Sequence, residues 1–449
     1  MEKNFDETIV GSQDGSSSDL EHIEVDWTEE EEAKLIRKVD FTIMPLLVLG
    51  FFALQLDRGN IGNALTDFFL ADVGITQSQF NVGQQLLSAG IVLLEIPSNF
   101  ILYRVGPAKW IGSQIIAWGL VATFQAFQKG LGAFLSTRLL LGLCEAGFIP
   151  AGLYTITRWY KRDETSKRFS IYFLGNMLAS GASGLIAYGI LHMRGIGGLG
   201  GWQWLFILEG IFTILVGILF ILFFPDSPFN PVSLFKFGVF TEREKEILKK
   251  RILKDDPSKI HAKPNVTKEE FRNVMTNWRL IPHVLLTISA LAPATTMGSY
   301  SPSLVKSFGY ERLKSNALVS IGSWALVVTN LLWGYLGDKL QMRGPLVALG
   351  IFMFWAFTAN PLNGSWMALN AGSAGERSIT MAILIMSANT SGIIGSQLFQ
   401  EHDAPLYKTG WTAIMALASV GLVMAVIANL QYFFLDGRRI GRKGLKYSP

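Results

Sequence analysis

Three observations predict an all-α membrane protein. Half of the 449 residues are apolar, only 16% are charged, and the apolar residues gather in long runs that hold at most one or two charges. Soluble domains carry about 25% charged residues, so a chain this poor in charge meets a solvent other than water over much of its surface. At about twenty residues per crossing of a hydrocarbon layer about 30 Å thick, the length accommodates about ten to twelve spans, short loops and one longer insert.

Composition also excludes several function classes. The single cysteine, Cys144, rules out a disulfide framework and a cysteine-based metal cluster. Five scattered histidines give no metal-ligand spacing, so no metal or other cofactor is expected. A net charge of +4 is too small to argue for nucleic-acid binding.

Taken in order, residues 1–38 read as a disordered cytoplasmic tail, rich in Asp, Glu, Ser and Gly and closed by Lys34, Arg37 and Lys38. The tail lacks the basic start and short apolar run of a secretory signal. Apolar runs near 40–63, 82–103, 110–128, 133–157, 169–192 and 203–224 make a first six-helix bundle over 39–224. A charged stretch, 225–279, separates it from further runs near 281–304, 316–337, 346–369, 378–399 and 411–435, which make a second bundle over 280–435; 436–449 is a basic tail.

Lysine and arginine counts orient these spans, because cytoplasmic loops collect positive charge. Over the first eight loops, with Arg58 counted in the first, the even-numbered loops hold 21 against 6 in the odd-numbered ones, which places the N-terminus and the central loop in the cytoplasm. Asn265-Val266-Thr267, a formal glycosylation site, falls in that loop and is expected to be unused. Eleven spans would then leave the C-terminus outside, yet Arg438, Arg439, Arg442, Lys443 and Lys446 argue for inside. The anomaly falls at 346–369, which is apolar from Leu346 to Phe357, meets the turn chemistry of Asn360-Pro361-Leu362-Asn363-Gly364, and resumes at Trp366. Two spans and their loop need about 45 residues and about 24 are present. The second half is therefore expected to be short by about one helix, with this segment re-entrant if the C-terminus is cytoplasmic.

Ionisable groups inside spans are costly in hydrocarbon and line polar cavities or protein interfaces. Asp57-Arg58-x-Asn60 lies past the middle of the first span, unless that span ends at Leu56 and the pair begins a loop. In the fourth span Arg138 and Glu145 stand seven apart on one helix face with Gly142 between them. Glu145, near the middle, reads either as a desolvated carboxylate that takes up and releases a proton or as half of a structural Arg–Glu clamp. Glu95 is placed for a salt bridge or for snorkelling, and Glu209 for an interhelical contact or a cavity wall. Asn389 offers an amide to a ligand or glues helices. Tyr300, Trp324 and Trp333 read mainly as packing residues, and Gly175, Ala179 and Ser183 as a helix-packing stripe. Asp338, in Gly334-Tyr335-Leu336-Gly337-Asp338-Lys339, sits where a helix end meets a basic loop and can hold that side shut.

Six spans, a charged loop and a second set with G-x-x-G-D-K after its second helix resemble the major facilitator superfamily. Asp57-Arg58-x-Asn60-x-Gly62-Asn63-Ala64, Glu95-Ile96-Pro97-Ser98-Asn99 and Arg138-x-x-x-Gly142-x-x-Glu145-Ala146-Gly147-x-x-Pro150 more closely resemble its anion:cation symporter family, and within it the fungal allantoate permease group. The resemblance implies a monomeric plasma-membrane carrier that takes up a small organic anion together with protons by alternating access, needing no cofactor beyond the proton gradient. It implies that Arg58, with Asn60 and Asn389, contacts the substrate, that Asp57 and Glu145 carry protons, and that Arg138, Glu95 and Asp338 are structural or gating residues. An arginine fork suits a carboxylate, and protonating two acids removes charge that would repel it. Proton-driven efflux by the same fold and a non-transporting sensor remain open, and no nucleophile–base constellation points to an enzyme. Two departures from the family pattern stand out: Gln203 replaces a usual basic residue, and Pro345 to Asn370 holds one helix where the family has two.

Overall fold

The computed structural model describes residues 26–233, 238–255, 267–340, 343–352, 363–364, 366–367, 370–371, 374–404, 406–435, 439–440 and 445–446. Its first long helix, α1, spans Glu29–Ala64. The Thr28 hydroxyl accepts from Glu31 N (3.2 Å), the Glu31 carboxylate accepts from Thr28 N (2.9 Å), and four glutamates occupy the positive end of the helix dipole. This corrects the expected tail boundary: Asp26 to Lys38 are ordered, with Trp27 buried, because the acidic run that looked too polar to fold is a helix start. At 1.5 Å per residue α1 is about 54 Å long, so its first turns project beyond a membrane about 30 Å thick. We refer to that end of the molecule as the near face.

The helices α2 (Gln77–Val105), α3 (Pro107–Phe124), α4 (Gly130–Glu145), α5 (Phe148–Trp159), α6 (Arg162–Leu191) and α7 (Gly201–Phe223) follow. Helix α2 opens on a second capping box, Thr76 with Gln79, and α3 on Pro107 after Gly106, whose φ of +89° suits glycine. The expected fourth span is two helices rather than one. Ala146 leaves the helical region and Gly147 takes φ +83°, so Glu145 ends α4 instead of lying mid-helix.

The stretch expected as a charged loop is partly structured, with a short antiparallel hairpin at Pro225–Ser227 and Asn230–Ser233 and helices α8 (Glu242–Asp255) and α9 (Lys268–Met275). This hairpin and the two-residue pairing of Arg439–Ile440 with Leu445–Lys446 are the strand elements among the described residues. Arg438, Arg442 and Lys443 lie outside the described residues. Helices α10 (Ile281–Ser307), α11 (Arg312–Leu340), α12 (Arg343–Phe352), α13 (Ala374–Gly395) and α14 (Lys408–Leu435) complete the chain. Among the described residues seven helices are long and apolar enough to cross a membrane, with Ile379–Gly395 a shorter apolar one.

Helix α1 packs between α6 and α7, α3 lies along α7, and α2 along α4; α10 packs on α13 and α14. The early and late helices meet chiefly where α6 faces α11, α2 faces α13, and α1 faces α10. Close approach depends on glycine. A Cβ on Gly142 would sit 2.1 Å from Leu87 O of α2, and one on Gly175 2.4 Å from Val48 O of α1. Leu47, Phe51 and Leu54 of α1, Ile115 and Trp118 of α3, Phe148 of α5 and Tyr172 of α6 share one buried cluster.

Of the anomalous 346–369 segment, 353–362, Ser365 and 368–369 lie outside the described residues. What is described returns to the near face. Asn363 lies 2.6 Å from the His283 ring at the start of α10, and Trp366 stacks on His283 and on Tyr432 near the end of α14. A Cβ on Gly344, at the start of α12, would meet Trp366 at 2.9 Å. Gln431 donates to Arg279 O, and Asn273 of α9 to Glu376 of α13.

Candidate functional site

The charged residues that the sequence scatters over four helices come together in one buried cluster among α1, α2, α4 and α7. Helix α1 continues through Asp57 and Arg58 to Ala64, so the pair is within the helix and not at a loop start. Arg58 Nε donates to Glu145 Oε2 at 2.7 Å, the arginine side chain being 22% exposed and the glutamate fully buried. This hydrogen bond uses Nε, and among the described residues Nη1 and Nη2 make no further side-chain hydrogen bond.

The break after Glu145 is wired in place. Gly147 N donates to Glu95 Oε2 (3.2 Å), Gln114 Nε2 donates to Ala146 O (2.7 Å), and Ser98 Oγ, accepting from Trp110 Nε1 (3.0 Å), lies where a Gly147 Cβ would fall. Glu95 is 1% exposed and within the field of Arg58. Neither the expected salt bridge nor snorkelling is seen among the described residues: Glu95 lies in the interior, where the backbone N–H freed by the break is its hydrogen-bond partner.

Asp57 is 2% exposed; its Oδ2 accepts from Thr213 of α7 at 3.1 Å, and Trp118 and Glu145 stand beside it. Asn60, fully buried, faces Glu209 of α7, and neither the Asn60 amide nor the Glu209 carboxylate makes a hydrogen bond of normal geometry among the described residues. Arg138 does not clamp Glu145. It donates instead to Gln125 Oε1 (2.9 Å) and Gln84 Oε1 (2.8 Å), with Glu145 and Asp57 nearby. Asn389 is remote in bonding terms, its Nδ2 donating to Ile385 O of its own helix at 2.9 Å. Asp338 falls in α11, but its side chain lies outside the described residues.

Sequence reading undervalued Glu209 and overlooked Gln84, Gln114 and Thr213. Glu209 was legible as a charge inside a span; the neutral residues carry no such signal, since a buried amide looks like any helix-gluing residue until its partner is known.

Four carboxylates, Asp57, Glu95, Glu145 and Glu209, thus share one interior with two guanidiniums. Ionised together they leave an uncompensated negative charge out of water, which is costly. A helical, multi-pass bundle with such a centre is the architecture of a membrane carrier.

Comparison with known proteins places the chain within one family. The Major Facilitator Superfamily model matches residues 47–428, and the chain belongs to that superfamily. An uncharacterized transporter of Saccharomyces cerevisiae is 31% identical over 91% of this chain and 81% of its own length. A protein of Agrobacterium vitis named as a tartrate transporter is 29% identical over 88% and 83%. A D-xylose–proton symporter superposes with a TM-score of 0.62 at 14% identity over 86% of this chain and 97% of that one. An inward-facing bacterial homolog of the human lysosomal transporter Spinster superposes with a TM-score of 0.60 at 15% identity over 91% and 97%. The protein is a multi-pass secondary transporter and not an enzyme.

Proposed function

We propose that this carrier imports a small, carboxylate-bearing organic anion together with protons, in the manner of the anion:cation symporters and their allantoate permease group. The observation that carries the reading is the Arg58–Glu145 pair, in which a partly exposed guanidinium is held by a fully buried carboxylate. Protonating Glu145 frees the arginine for an incoming carboxylate, and losing that proton reclaims the arginine and expels the anion. The Glu145 carboxylate and the substrate carboxylate then compete for one guanidinium, so a proton on Glu145 favours substrate binding, which is how coupling arises without direct contact between proton and substrate. The name of the Agrobacterium relative supports the carboxylate class.

The same reading gives two unequal halves in a plasma membrane, with the near face cytoplasmic. Gly344 at the start of α12, and Asn363 and Trp366 beyond 353–362, share the near face with Tyr432, which supports an even number of crossings. Ten crossings with both termini in the cytoplasm satisfy the charge pattern of the loops and of the basic tail. Whether such a shortened second half still rocks against the first is answered by transport itself.

Reconstitution into proteoliposomes tests the function, with labelled tartrate as first probe and other small carboxylates after it. Uptake is expected to rise with an inward proton gradient. Arg58→Ala is expected to lower it about 100-fold or more, the loss of a bidentate charged contact in a low-dielectric site. Glu145→Gln is expected to leave counterflow but abolish stimulation by the gradient. Gradient-driven uptake at normal rates in either variant overturns the role given to that residue.

A further inference from the structure

We propose that Gln84 is a positioning residue that couples the charge cluster to closure of the far face, the membrane face opposite the start of α1. The inference rests on the proton-coupled reading above and names the device by which that site controls access. It starts from one face of α2, where Gln77, Asn81, Gln84, Gln85 and Ser88 recur at helical spacing. Every one of them meets a later part of the chain. Gln77 Nε2 and Asn81 Nδ2 donate to Phe399 O (3.4 and 3.1 Å), and Asn81 Oδ1 accepts from the Tyr300 hydroxyl. Gln84 Nε2 donates to Ser299 Oγ (3.3 Å), Gln85 Nε2 donates to Ile393 O (3.3 Å), and Ser88 lies against Gly392. Phe399 stacks on Tyr407 at 4.4 Å above this seam.

Gln84 differs from its neighbours at its other end. Its Oε1 accepts from Arg138 Nη2 at 2.8 Å, so one amide is held by a buried cation on one side and holds α10 on the other. A charge-assisted bond at the amide oxygen polarises the group and strengthens its N–H as a donor. Ser299 is also the residue against which α1 closes, since a Cβ on Gly62 would lie 2.9 Å from Gly298 O and 3.1 Å from Ser299 O. The seam and the cluster therefore share one turn of α10.

The titratable and charged groups around this link are known from every side. Arg138 faces Glu145 on its own helix and Asp57 on α1; Asp57 faces Glu209 on α7; Arg58 on α1 faces Glu145 and Glu95 of α2. Helix α3 and its following turn bring the neutral Trp118 and Gln125, and α10 brings Tyr300 with Tyr407 beside it. When the carboxylates carry protons, Arg138 has only neutral acceptors, Gln84 and Gln125, and the link to Ser299 is tight. When they ionise, Glu145 stays with Arg58 while Asp57, which has no such partner, competes for Arg138, the link loosens, and the far face opens. That is the order a symporter needs, since the loaded site closes to the outside and the emptied, deprotonated site reopens to it.

Distances between nitroxide labels test this in the full chain. Labels go on the exposed far-face positions Lys129→Cys and Lys314→Cys in a Cys144→Ser background, reconstituted in nanodiscs. Between about pH 5 and about pH 8 the population of longer distances is expected to grow about tenfold, the effect of one hydrogen bond to a charged group. Gln84→Leu is expected to show the longer distances equally at both pH values, and Ser299→Ala, which cuts only the far end of the relay, to do the same. Gln77→Leu weakens the seam without touching Arg138 and is expected to keep the pH response. If Gln84→Leu and Ser299→Ala both keep it, or Gln77→Leu also loses it, Gln84 is an ordinary seam residue. A pH-independent distance in the parent overturns the proton-coupled reading itself, and the relay with it.

Discussion

Helices α1–α7 and helices α10–α14 bury polar groups of different kinds. The early helices hold Asp57, Glu95, Glu145 and Glu209 with Arg138 in the interior, and Arg58 at its edge. The described part of the later helices buries neutral groups: His283, Thr287, Asn363, Thr296 and Asn389. His283 is held by Asn363, which also donates to Thr287 Oγ1 at 3.0 Å, and it makes edge-to-face contacts with Trp366 and Tyr432. Among the described residues the buried carboxylates belong to the early helices. A second contrast runs between the faces. On the near face Glu32, Lys161, Glu164 and the fully buried Arg251 tie α8 to the starts of α1 and α6, all within the first part of the chain and the central region. On the far face neutral amides and aromatics join early helices to late ones. The described ion pairs of the near face therefore brace the early helices and the central region, while the far-face contacts that join early helices to late ones are neutral.

The largest way to break this division is to disturb the geometry that gathers the charges. Gly147→Ala puts a side chain at φ +83° and a Cβ 2.3 Å from Ser98 Oγ, in a break whose N–H holds Glu95 and whose preceding residue is Glu145. Strain of about 1–3 kcal/mol from the backbone, added to the clash, is expected to lower thermal stability in detergent and to abolish the Arg58–Glu145 geometry together. A variant that melts with the parent and retains gradient-driven uptake would show that the break is dispensable.

A test of the later helices should behave differently, because their polar pin is neutral. His283→Leu alone strands Asn363 and is expected to cost about 1–3 kcal/mol, whereas His283→Leu combined with Asn363→Leu is expected to recover much of that loss. Melting temperatures of the two single variants and the double variant measure the coupling. Additive losses would mean that the His283 ring contributes through Trp366 and Tyr432 rather than through Asn363.

These contrasts were unequally legible in the sequence. Charge inside apolar runs marked Asp57, Arg58, Glu95, Arg138, Glu145 and Glu209, because hydrocarbon makes such residues conspicuous. Their pairing was not legible: Arg138 and Glu145 share a helix face by spacing, yet Arg58 takes the glutamate and two glutamines take Arg138. Spacing reports neighbours along one helix, and the choice of partner is made between helices whose rotation no periodicity records. The shortage of residues near Pro361 was visible as arithmetic. The near-face contacts of Asn363 with His283 and of Trp366 with Gly344 join residues far apart in sequence, which length alone does not reveal. The tail was misjudged because acidity was weighed as composition, when in the sequence Thr28-x-x-Glu31 it is the signature of a helix start.

The smallest expected effect concerns the near-face bracing, and it follows from the sign of one titration. Burial pushes the Glu244 carboxyl up, but the Lys38 ammonium at 2.7 Å and the Thr241 N–H outweigh it and hold the group below its ordinary value. A carboxylate depressed on folding contributes stability that is present above its unfolded value and is lost as the pH falls through its folded one. Docking of α8 is therefore expected to be constant near neutrality and to loosen only in acid, below the ordinary carboxylate range. Both partners are partly exposed, so the contribution is at most about 1 kcal/mol. Amide exchange over α8, followed from neutral pH into acid and corrected for intrinsic rates, should show this loosening in the parent and less of it in Glu244→Gln. Arg251 shares no partner with that pair, and it keeps Glu32 and Glu164 in both proteins. An acid response of the same size in both would assign the loosening to groups other than Glu244 and leave Lys38–Glu244 as a surface contact of no measurable weight.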